Sequence, residues 1–389
     1  MDSKILSQKS NTVALFVSTR KGGFIFSSDY TRKKWIISEL FFKSWNVMNI
    51  AFDPRDRRLH AAVVHDVYGS STHYSDDLGN SWVQAAQSPQ FTYASKSGRP
   101  LGTPDEVKQI REIKIKPEEV IKVWKIQPGT TDEPEVLYAG VEPAALFKSS
   151  DRGDTWNLND AIYNHPHRAK WFPGAGGLSL HTILQNPQNP KHMMVAISAG
   201  GCYRTDDGGI TWNPRNKNVR ADYHPDRYPE FGQCVHSVAF HTDHPERLYQ
   251  QNHCGIYRSD NFGDEWNDIG DGRLPSRFGF PIAVHPHEPD TVYVVLEESD
   301  EYRLSIDSQF AVWRTRNGGE SWEKLTNGLP ERAYLVVLRQ AMTMDNLDKV
   351  GVYVGTSTGQ IFFSRDSGDS WELLADYLPK ILALNVVVL

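Results

Sequence analysis

The chain alternates short apolar runs with polar turns, and residues 232–272 show the pattern best. VHSVAFHT (235–242) has the pattern of a strand, DHPER (243–247) of a turn, LYQQNH (248–253) of a second strand and GIYRSD (255–260) of a third. A polar turn follows, and WNDIG (266–270) has the pattern of a fourth strand. Short runs of this kind, bounded by turn residues, are typical of antiparallel strands. The pattern therefore predicts a small four-stranded sheet.

The same order of elements repeats along the chain, which predicts one all-β domain over residues 1–389. The repeats predict one four-stranded blade in each of the ranges 45–86, 120–160, 177–216, 232–272, 279–326 and 332–378. Residues 11–38 start one strand late, and the tail ILALNVVVL (381–389) provides the missing strand, so 380–389 completes that blade. We therefore expect a seven-bladed β-propeller, closed by pairing the C-terminal strand with the N-terminal blade. Such closure removes exposed sheet edges.

One polar phrase ending in tryptophan marks a turn in every repeat. Its seven copies are SSDYTRKKW (27–35), SDDLGNSW (75–82), SSDRGDTW (149–156), TDDGGITW (205–212), SDNFGDEW (259–266), TRNGGESW (315–322) and SRDSGDSW (364–371). An Asp or Asn two positions after the leading Ser or Thr can bond the backbone amides of its own turn. The structural residues predicted in this role are Asp77, Asp151, Asp207, Asn261, Asn317 and Asp366. The tryptophan is expected to pack between neighbouring sheets.

This phrase resembles the Asp-box, or bacterial neuraminidase repeat. The repeat occurs in sialidases, in xyloglucan-degrading glycosidases, in sortilin-type receptors and in photosystem assembly factors. The resemblance implies a propeller of the glycosyl-hydrolase type, but it implies no particular activity, because the box is a structural turn. The N-terminus has no Arg-Ile-Pro phrase of the sialidase kind, which argues against true sialidase activity.

Composition narrows the classes of partner and the compartment. The 389 residues are 11% aromatic and carry a net charge of −6 with both signs mixed, so no nucleic-acid surface is expected. No apolar run is long enough to cross a membrane, so no membrane partner is expected. The N-terminal residues lack an apolar signal core, and three cysteines do not form a disulfide framework. We expect a cytoplasmic protein.

Long connections concentrate on one predicted face of the disc. Residues 86–120, 160–177, 214–232 and 299–310 all connect strands on the side opposite the Asp-box turns. Loops held by a rigid scaffold commonly carry binding residues. We therefore expect a small polar or carbohydrate ligand at this looped face, with a protein partner as a second possibility.

Aligning the repeats brings polar residues to the looped end of the channel. The last residues of the second strands are Ser18, Val64, Glu142, Ser198, His253, Glu297 and Ser357. The matching positions of the innermost strands are Met48, Lys122, His181, His236, Phe280 and Gln340. A register slip of one residue would reverse the facing of a strand, so this convergence depends on the alignment.

Glu142 and Glu297 share one register in blades that lie nearly opposite each other. Two carboxylates across a cleft are the groups that glycosidases use as acid and base. The sequence therefore predicts Glu142 and Glu297 as catalytic, with His236 and His253 beside them. Alternatively, each carboxylate pairs with Lys122 or a loop arginine in a charge network.

The histidines allow a second kind of chemistry. His181, His236 and His253 could bind a divalent metal, or one of them could act as the general base of a lyase. No tight metal-binding spacing is present, so no cofactor is expected, and a divalent metal, if any, would lie on these three residues.

Loop residues complete the predicted site. Aromatic and arginine side chains near the channel suit an anionic sugar. The predicted substrate-binding residues are His181, Lys122, Gln340, Arg227, Tyr228, Arg277, Arg332 and Trp171.

Three functions remain open at this point. The leading hypothesis is a carbohydrate-active enzyme that hydrolyses a glycosidic bond with paired carboxylates. The alternatives are a non-catalytic platform for a protein or peptide, and a His/Tyr-based polysaccharide lyase with or without a metal.

Overall fold

The computed structural model describes residues 11–91, 119–174 and 176–389. Almost all of its regular structure is β, which confirms the predicted all-β class. The exceptions within these ranges are the helix α1 (Asp160–Tyr163) and two 3-10 turns, Arg168–Lys170 and Ile306–Ser308. No helix in the described part of the chain is long and apolar enough to cross a membrane. The predicted loop 86–120 lies mostly outside the described residues.

The strands follow one another at short intervals. The first seven are β1 (Thr12–Thr19), β2 (Gly22–Asp29), β3 (Ile36–Ile37), β4 (Asn46–Phe52), β5 (Leu59–His65), β6 (Gly69–Ser75) and β7 (Val83–Gln84). The next eight are β8 (Lys122–Pro128), β9 (Leu137–Glu142), β10 (Ala145–Ser149), β11 (Asn157–Leu158), β12 (Leu180–Gln185), β13 (Met193–Ile197), β14 (Gly201–Thr205) and β15 (Asn213–Pro214). Then come β16 (Val235–His241), β17 (His244–Asn252), β18 (Gly255–Ser259), β19 (Asn267–Asp268), β20 (Gly279–Val284), β21 (Val292–Leu296), β22 (Val312–Thr315) and β23 (Glu323–Leu325). The last five are β24 (Val337–Met344), β25 (Val352–Thr356), β26 (Ile361–Ser364), β27 (Glu372–Ala375) and β28 (Ile381–Val388).

Five sheets contain four strands each and one contains eight. The four-stranded sheets are β4–β7, β8–β11, β12–β15, β16–β19 and β20–β23, each paired in chain order. In the eight-stranded sheet the order is β27-β26-β25-β24-β28-β1-β2-β3. The C-terminal strand β28 pairs antiparallel along β1, from Val13 with Val388 to Thr19 with Ile381. It meets β24 at the single parallel bridge between Gln340 and Ala383.

Four of the innermost strands carry an extra residue near their N-terminal ends. In β4, β8, β12 and β16 the pairing with the next strand skips one position, and the skipped residues are Met48, Trp124, His181 and His236. A bulge of this kind bends the strand and redirects a side chain, and such bulges are common beside functional sites. In β8, Trp124 therefore occupies the position equivalent to Met48, His181 and His236. The sequence alignment had assigned Lys122 to that position.

The Asp-box turns are held by side-chain hydrogen bonds. In the fourth copy, Thr205 donates to Asp207 at 2.7 Å, and the Gly209 N–H donates to Thr205 at 2.8 Å. Asp207 also accepts from the Thr211 N–H at 2.9 Å and from the Thr211 hydroxyl at 2.6 Å. These donors stabilise the carboxylate and lower the pKa of Asp207. The same contacts recur at Asp77, Asp151 and Asp366, and Asn261 and Asn317 accept the corresponding amide bonds.

Three of the box tryptophans, Trp212, Trp266 and Trp322, are hydrogen-bonded to the preceding repeat. The indole N–H of Trp266 donates to the Arg215 carbonyl at 2.9 Å, and that of Trp322 donates to the Ile269 carbonyl at 3.0 Å. Each acceptor lies just after the outermost strand of the preceding sheet. The apolar core likewise lies between sheets, where Tyr138 and Leu146 of one pack with Met193 and Val195 of the next. The repeats therefore stabilise one another through shared side-chain layers.

Candidate functional site

Two adjoining cavities lie near the N-terminal ends of the innermost strands. The first, which we call the histidine cavity, measures about 510 Å³, and Cys234, His236 and His253 form part of its wall. The second, the tryptophan cavity, measures about 470 Å³ and is lined by Lys122 and Trp124, among others. Gly176, Phe280, Arg303 and Arg339 line both cavities. The two spaces therefore form one candidate site.

Arg303 and Arg339 give the shared wall a positive charge. The guanidinium of Arg339 lies 5.0 Å from the centre of the Trp124 ring, and that of Arg303 lies 5.4 Å from the Phe278 ring. Enclosure by protein lowers the pKa of Arg339 to about 10, which still leaves it charged at neutral pH. Among the described residues neither arginine forms an ion pair, and Arg339 Nη1 has no hydrogen-bond partner. The wall therefore presents cations without a protein counter-ion in contact.

His236 lies between aromatic rings with one nitrogen already engaged. Its Nδ1 donates to the Gly279 carbonyl at 2.6 Å, and its ring stacks on Phe280 at 4.5 Å between centres. Burial, with Arg339 nearby, holds the pKa of His236 well below its usual value. The imidazole is therefore neutral at physiological pH, with Nε2 as its unprotonated nitrogen. The ring of His253 lies 5.7 Å away.

The predicted three-histidine cluster does not form. His181 donates through Nε2 to the Val235 carbonyl at 3.0 Å and accepts through Nδ1 from the Thr182 hydroxyl at 2.9 Å. Its Nε2 therefore joins β12 to β16, and its Nδ1 is engaged within β12. Within the described chain, Cys234 takes its place, because Cys234, His236 and His253 bring their ligand atoms within 4.8 Å of one another.

Glu142 does not line either cavity, but it forms a charge pair with one residue of the tryptophan cavity wall and a hydrogen bond with another. Its Oε2 accepts from the Lys122 ammonium at 3.1 Å and from the Trp124 indole N–H at 3.0 Å. This is the charge-network alternative that the sequence left open. Gln340 adds to the same wall and donates to the Trp124 carbonyl at 3.1 Å.

Glu297 is sealed inside the protein. The residue is 2% exposed, and neither carboxylate oxygen has a hydrogen-bond partner. Burial raises the pKa of Glu297 to about 7, although the positive charge of Arg303 opposes the rise. Glu297 does not line either cavity. The structure therefore places the two predicted catalytic carboxylates in different environments: Glu142 is bonded to two residues of a cavity wall, and Glu297 is enclosed without a hydrogen-bond partner.

The loop residues proposed from the sequence are not gathered at the two cavities. Trp171 is 6% exposed and donates to the Tyr203 hydroxyl at 2.9 Å, so it belongs to the core. Arg227 pairs with Asp222 at 2.8 Å, and Arg277 pairs with Asp271. Tyr228 and Arg332 are exposed. Arg277 does line an open groove of about 680 Å³ that also contacts His253.

The sequence alignment missed four residues of the site: Trp124, Cys234, Arg303 and Arg339. Cys234 lies two positions before His236, and a strand places such neighbours on one face, so its proximity could have been deduced. Arg339 precedes Gln340 in a region where the pairing of β24 with β25 is irregular between Val337 and Met342. That irregularity is not visible in the sequence pattern.

The fold and its repeats agree with comparisons to known proteins. A model of the BNR/Asp-box repeat matches residues 203–214. Over 223 residues the chain is 26% identical to a probable oligoxyloglucan-reducing end-specific xyloglucanase of Neosartorya fischeri. That match spans 50% of this chain and only 26% of the relative's own length.

Two solved structures share the fold. The crystal structure of an ancestral GH74 enzyme matches with a TM-score of 0.53 at 16% identity, over 85% of this chain and 38% of its own. A structure of YCF48 bound to D1 peptide matches with a TM-score of 0.50 at 14% identity. This match covers 93% of this chain and 99% of the YCF48 chain. The chain is an Asp-box protein of the propeller type, and it is similar to glycosidases of that fold.

Proposed function

We propose that this chain is a closed seven-bladed propeller that acts as a carbohydrate-active enzyme on an anionic sugar. The strand groups support the architecture, because β1–β3 with β28, and β24–β27, would be two blades beside the five four-stranded sheets. The innermost strands also touch in sequence, including β28 with β4 and β24 with β28. The distant similarity to a xyloglucanase supports the carbohydrate part of the proposal.

The unpaired guanidiniums of Arg303 and Arg339 carry the anionic part of the proposal. Buried charge is costly unless it is paired, so the enclosed and unpaired Arg339 calls for a negative group from a ligand. Arg303 is exposed and adds positive charge to the same cavity wall. An arginine can bind a carboxylate through two parallel hydrogen bonds. Trp124 and Phe280 offer apolar faces beside them. This combination suits a sugar that carries a carboxylate.

The chemistry is assigned to the carboxylate that contacts the cavity wall. Glu142 lies beside the tryptophan cavity, where Lys122 and Trp124 orient it. A general acid or base must come within hydrogen-bond reach of the proton that it moves. Glu297 has the raised pKa of a general acid, but it would have to move to reach a ligand. We therefore propose Glu142 as the principal catalytic carboxylate, and the paired scheme with Glu297 stays a prediction.

Calorimetry with two matched sugars tests the proposal. A galacturonate trisaccharide should bind to the wild-type protein, and the neutral galactose trisaccharide should bind at least about tenfold more weakly. Arg339→Gln should weaken binding of the acidic sugar by about 10–100-fold, because a hydrogen bond to a charged group contributes about 1.5–3 kcal/mol. The exposed Arg332 offers a matched control, and Arg332→Gln should leave binding unchanged. Equal affinity for both sugars, or an unaltered Arg339→Gln variant, would refute the anionic-sugar assignment.

Exposed aromatic side chains favour a second candidate, a platform for a peptide. Phe172, Tyr223 and Tyr302 are 74%, 48% and 61% exposed, and Phe172 and Tyr223 line the histidine cavity. Aromatic residues are enriched at protein interfaces, and the YCF48 structure contains a bound peptide. Saturable binding of an acidic peptide, lost in Phe172→Ala and unaffected by galacturonate, would support this candidate over the enzyme.

A further inference from the structure

We propose that Cys234, His236 and His253 bind one divalent transition-metal ion, with Zn²⁺ as the best chemical match, in the wall of the histidine cavity. Their ligand atoms lie within 4.8 Å of one another. The proposal does not depend on an anionic sugar as the ligand of the cavity.

The backbone brings the three side chains together. Cys234 directly precedes β16, and His236 is the second residue of that strand. His253 directly follows β17, and its N–H donates to the Cys234 carbonyl at 3.0 Å, so the two residues lie opposite each other. His236 is the extra residue of the bulge in β16. The bulge allows its ring to turn toward the same point.

Each imidazole donates one N–H to a protein acceptor. The Nδ1–H of His236 donates to the Gly279 carbonyl at 2.6 Å, and the Nε2–H of His253 donates to the Asp300 carboxylate at 3.1 Å. Each ring therefore keeps one nitrogen with a free lone pair. Metal-binding histidines characteristically donate their other N–H to a carbonyl or carboxylate, which fixes the tautomer. Here His236 donates to a carbonyl and His253 donates to a carboxylate.

The donor set selects the kind of metal. One thiolate and two imidazoles favour zinc and similar ions over Mg²⁺ or Ca²⁺, which prefer oxygen. Zinc bonds of about 2.3 Å to sulfur and 2.0–2.1 Å to nitrogen place tetrahedral ligand atoms about 3.4–3.7 Å apart. Small side-chain rotations would bring the observed cluster to this spacing. Three protein ligands also leave a fourth position, which is the arrangement of catalytic rather than structural zinc sites.

The charged groups around the site are compatible with a metal cation that is bound by the Cys234 thiolate. Burial raises the pKa of the Cys234 thiol, while Arg339, Ser198 and the backbone of Ala199 oppose the rise. A bound metal ion takes the place of the thiol proton. Asp300 adds a negative charge behind His253, and Arg303 and Arg339 add positive charge on the cavity side. The open position of the ion would therefore face a space that favours anions. If the proposed sugar binds there, its carboxylate could reach both the ion and a guanidinium.

Metal titration of the intact protein tests the site. The protein is freed of metal by dialysis against a chelator, and Zn²⁺ binding is measured by competition with a chromophoric chelator. We expect one ion per chain. Cys234→Ser should weaken binding by at least about 100-fold, and Asp300→Asn by about 10–100-fold, the range found for partners that orient metal ligands. The Co²⁺-loaded protein should show a thiolate-to-cobalt absorption band that Cys234→Ser removes.

Cys254 provides the matched control. It is a free, buried cysteine in the turn between β17 and β18, and it lies outside the cluster. Cys254→Ser should bind Zn²⁺ as the wild type does, and circular dichroism melts would show that each variant is folded. Failure of the wild type to take up stoichiometric Zn²⁺, or equal affinity in Cys234→Ser, would overturn the proposal. Because Zn²⁺ alone is the probe, this result is separate from the sugar titration.

Discussion

The Arg339 guanidinium lies 5.0 Å from the centre of the Trp124 indole ring, although the two residues belong to different sheets. The neighbouring Gln340 side chain donates to the Trp124 carbonyl at 3.1 Å, which ties β24 to β8 at the same place. The indole N–H of Trp124 in turn donates to Glu142. A cation and an aromatic face are therefore held together in the wall of the tryptophan cavity, and the Glu142 carboxylate is bonded to the aromatic residue.

Trp124→Ala should weaken galacturonate binding by about 3–30-fold. A cation–π contact contributes about 0.5–2 kcal/mol, and its loss would let the Arg339 side chain move from its position. Trp124→Phe keeps an aromatic face and should retain most of the affinity. Calorimetry on the three proteins measures the effect, and an unaltered Trp124→Ala variant would separate Trp124 from the binding site.

Turnover should distinguish Glu142 from Glu297. If an acidic oligosaccharide is cleaved, Glu142→Gln should reduce kcat by at least about 100-fold, the size of a general acid–base contribution. Glu297→Gln should keep kcat within a few-fold, because its carboxyl is enclosed. Release of reducing ends measures both variants. A comparable loss in both would instead support the paired-carboxylate mechanism predicted from the sequence.

The buried Glu297 should make stability depend on pH. Its pKa is about 7 in the folded protein, compared with an ordinary value of 4.5. As the pH rises from about 4.5 to 7, the unfolded chain therefore loses this proton before the folded protein does, and the folded state is progressively destabilised. The shift corresponds to about 3 kcal/mol.

Glu297→Gln should remove this dependence, because the amide is neutral. Relative to the wild type, the variant should gain about 3 kcal/mol of unfolding free energy between pH 4 and pH 8. Urea unfolding at both pH values measures the difference. A constant difference between the two proteins would show that the Glu297 pKa is not raised by burial.

The last Asp-box should tolerate Asn but not Ala. Asp366 accepts from the Ser364 hydroxyl at 2.7 Å and from the Ser370 N–H at 2.8 Å. Asp366→Ala leaves these donors without their partner and should lower the unfolding free energy by about 1–2 kcal/mol. Asp366→Asn should cost less, because Asn261 and Asn317 accept the corresponding amide bonds. Denaturant unfolding would decide, and equal stability of the Ala and Asn variants would contradict the role of this acceptor.

The repeated phrase made the fold class predictable. Its hydrogen bonds are local, since each Asp or Asn accepts from groups within four positions in the chain. Local turn chemistry and the apolar runs between the boxes therefore specify antiparallel strands without help from distant residues. The predicted all-β class followed from these features, and so did the expected tryptophan contacts between repeats.

The sequence alone therefore determined the repeating turns, the strand order and the end of the strands at which polar residues gather. The tertiary structure decided which side chains share the site. Bulges in β4, β8, β12 and β16 and the irregular pairing of β24 shift the facing of residues, and one residue of shift reverses a side chain. For this reason Trp124 and Arg339 are in the cavity walls. His181 is instead engaged by hydrogen bonds to Val235 and Thr182. Burial of Glu297 likewise depends on packing between distant segments, and a periodic pattern of apolar residues does not contain that information.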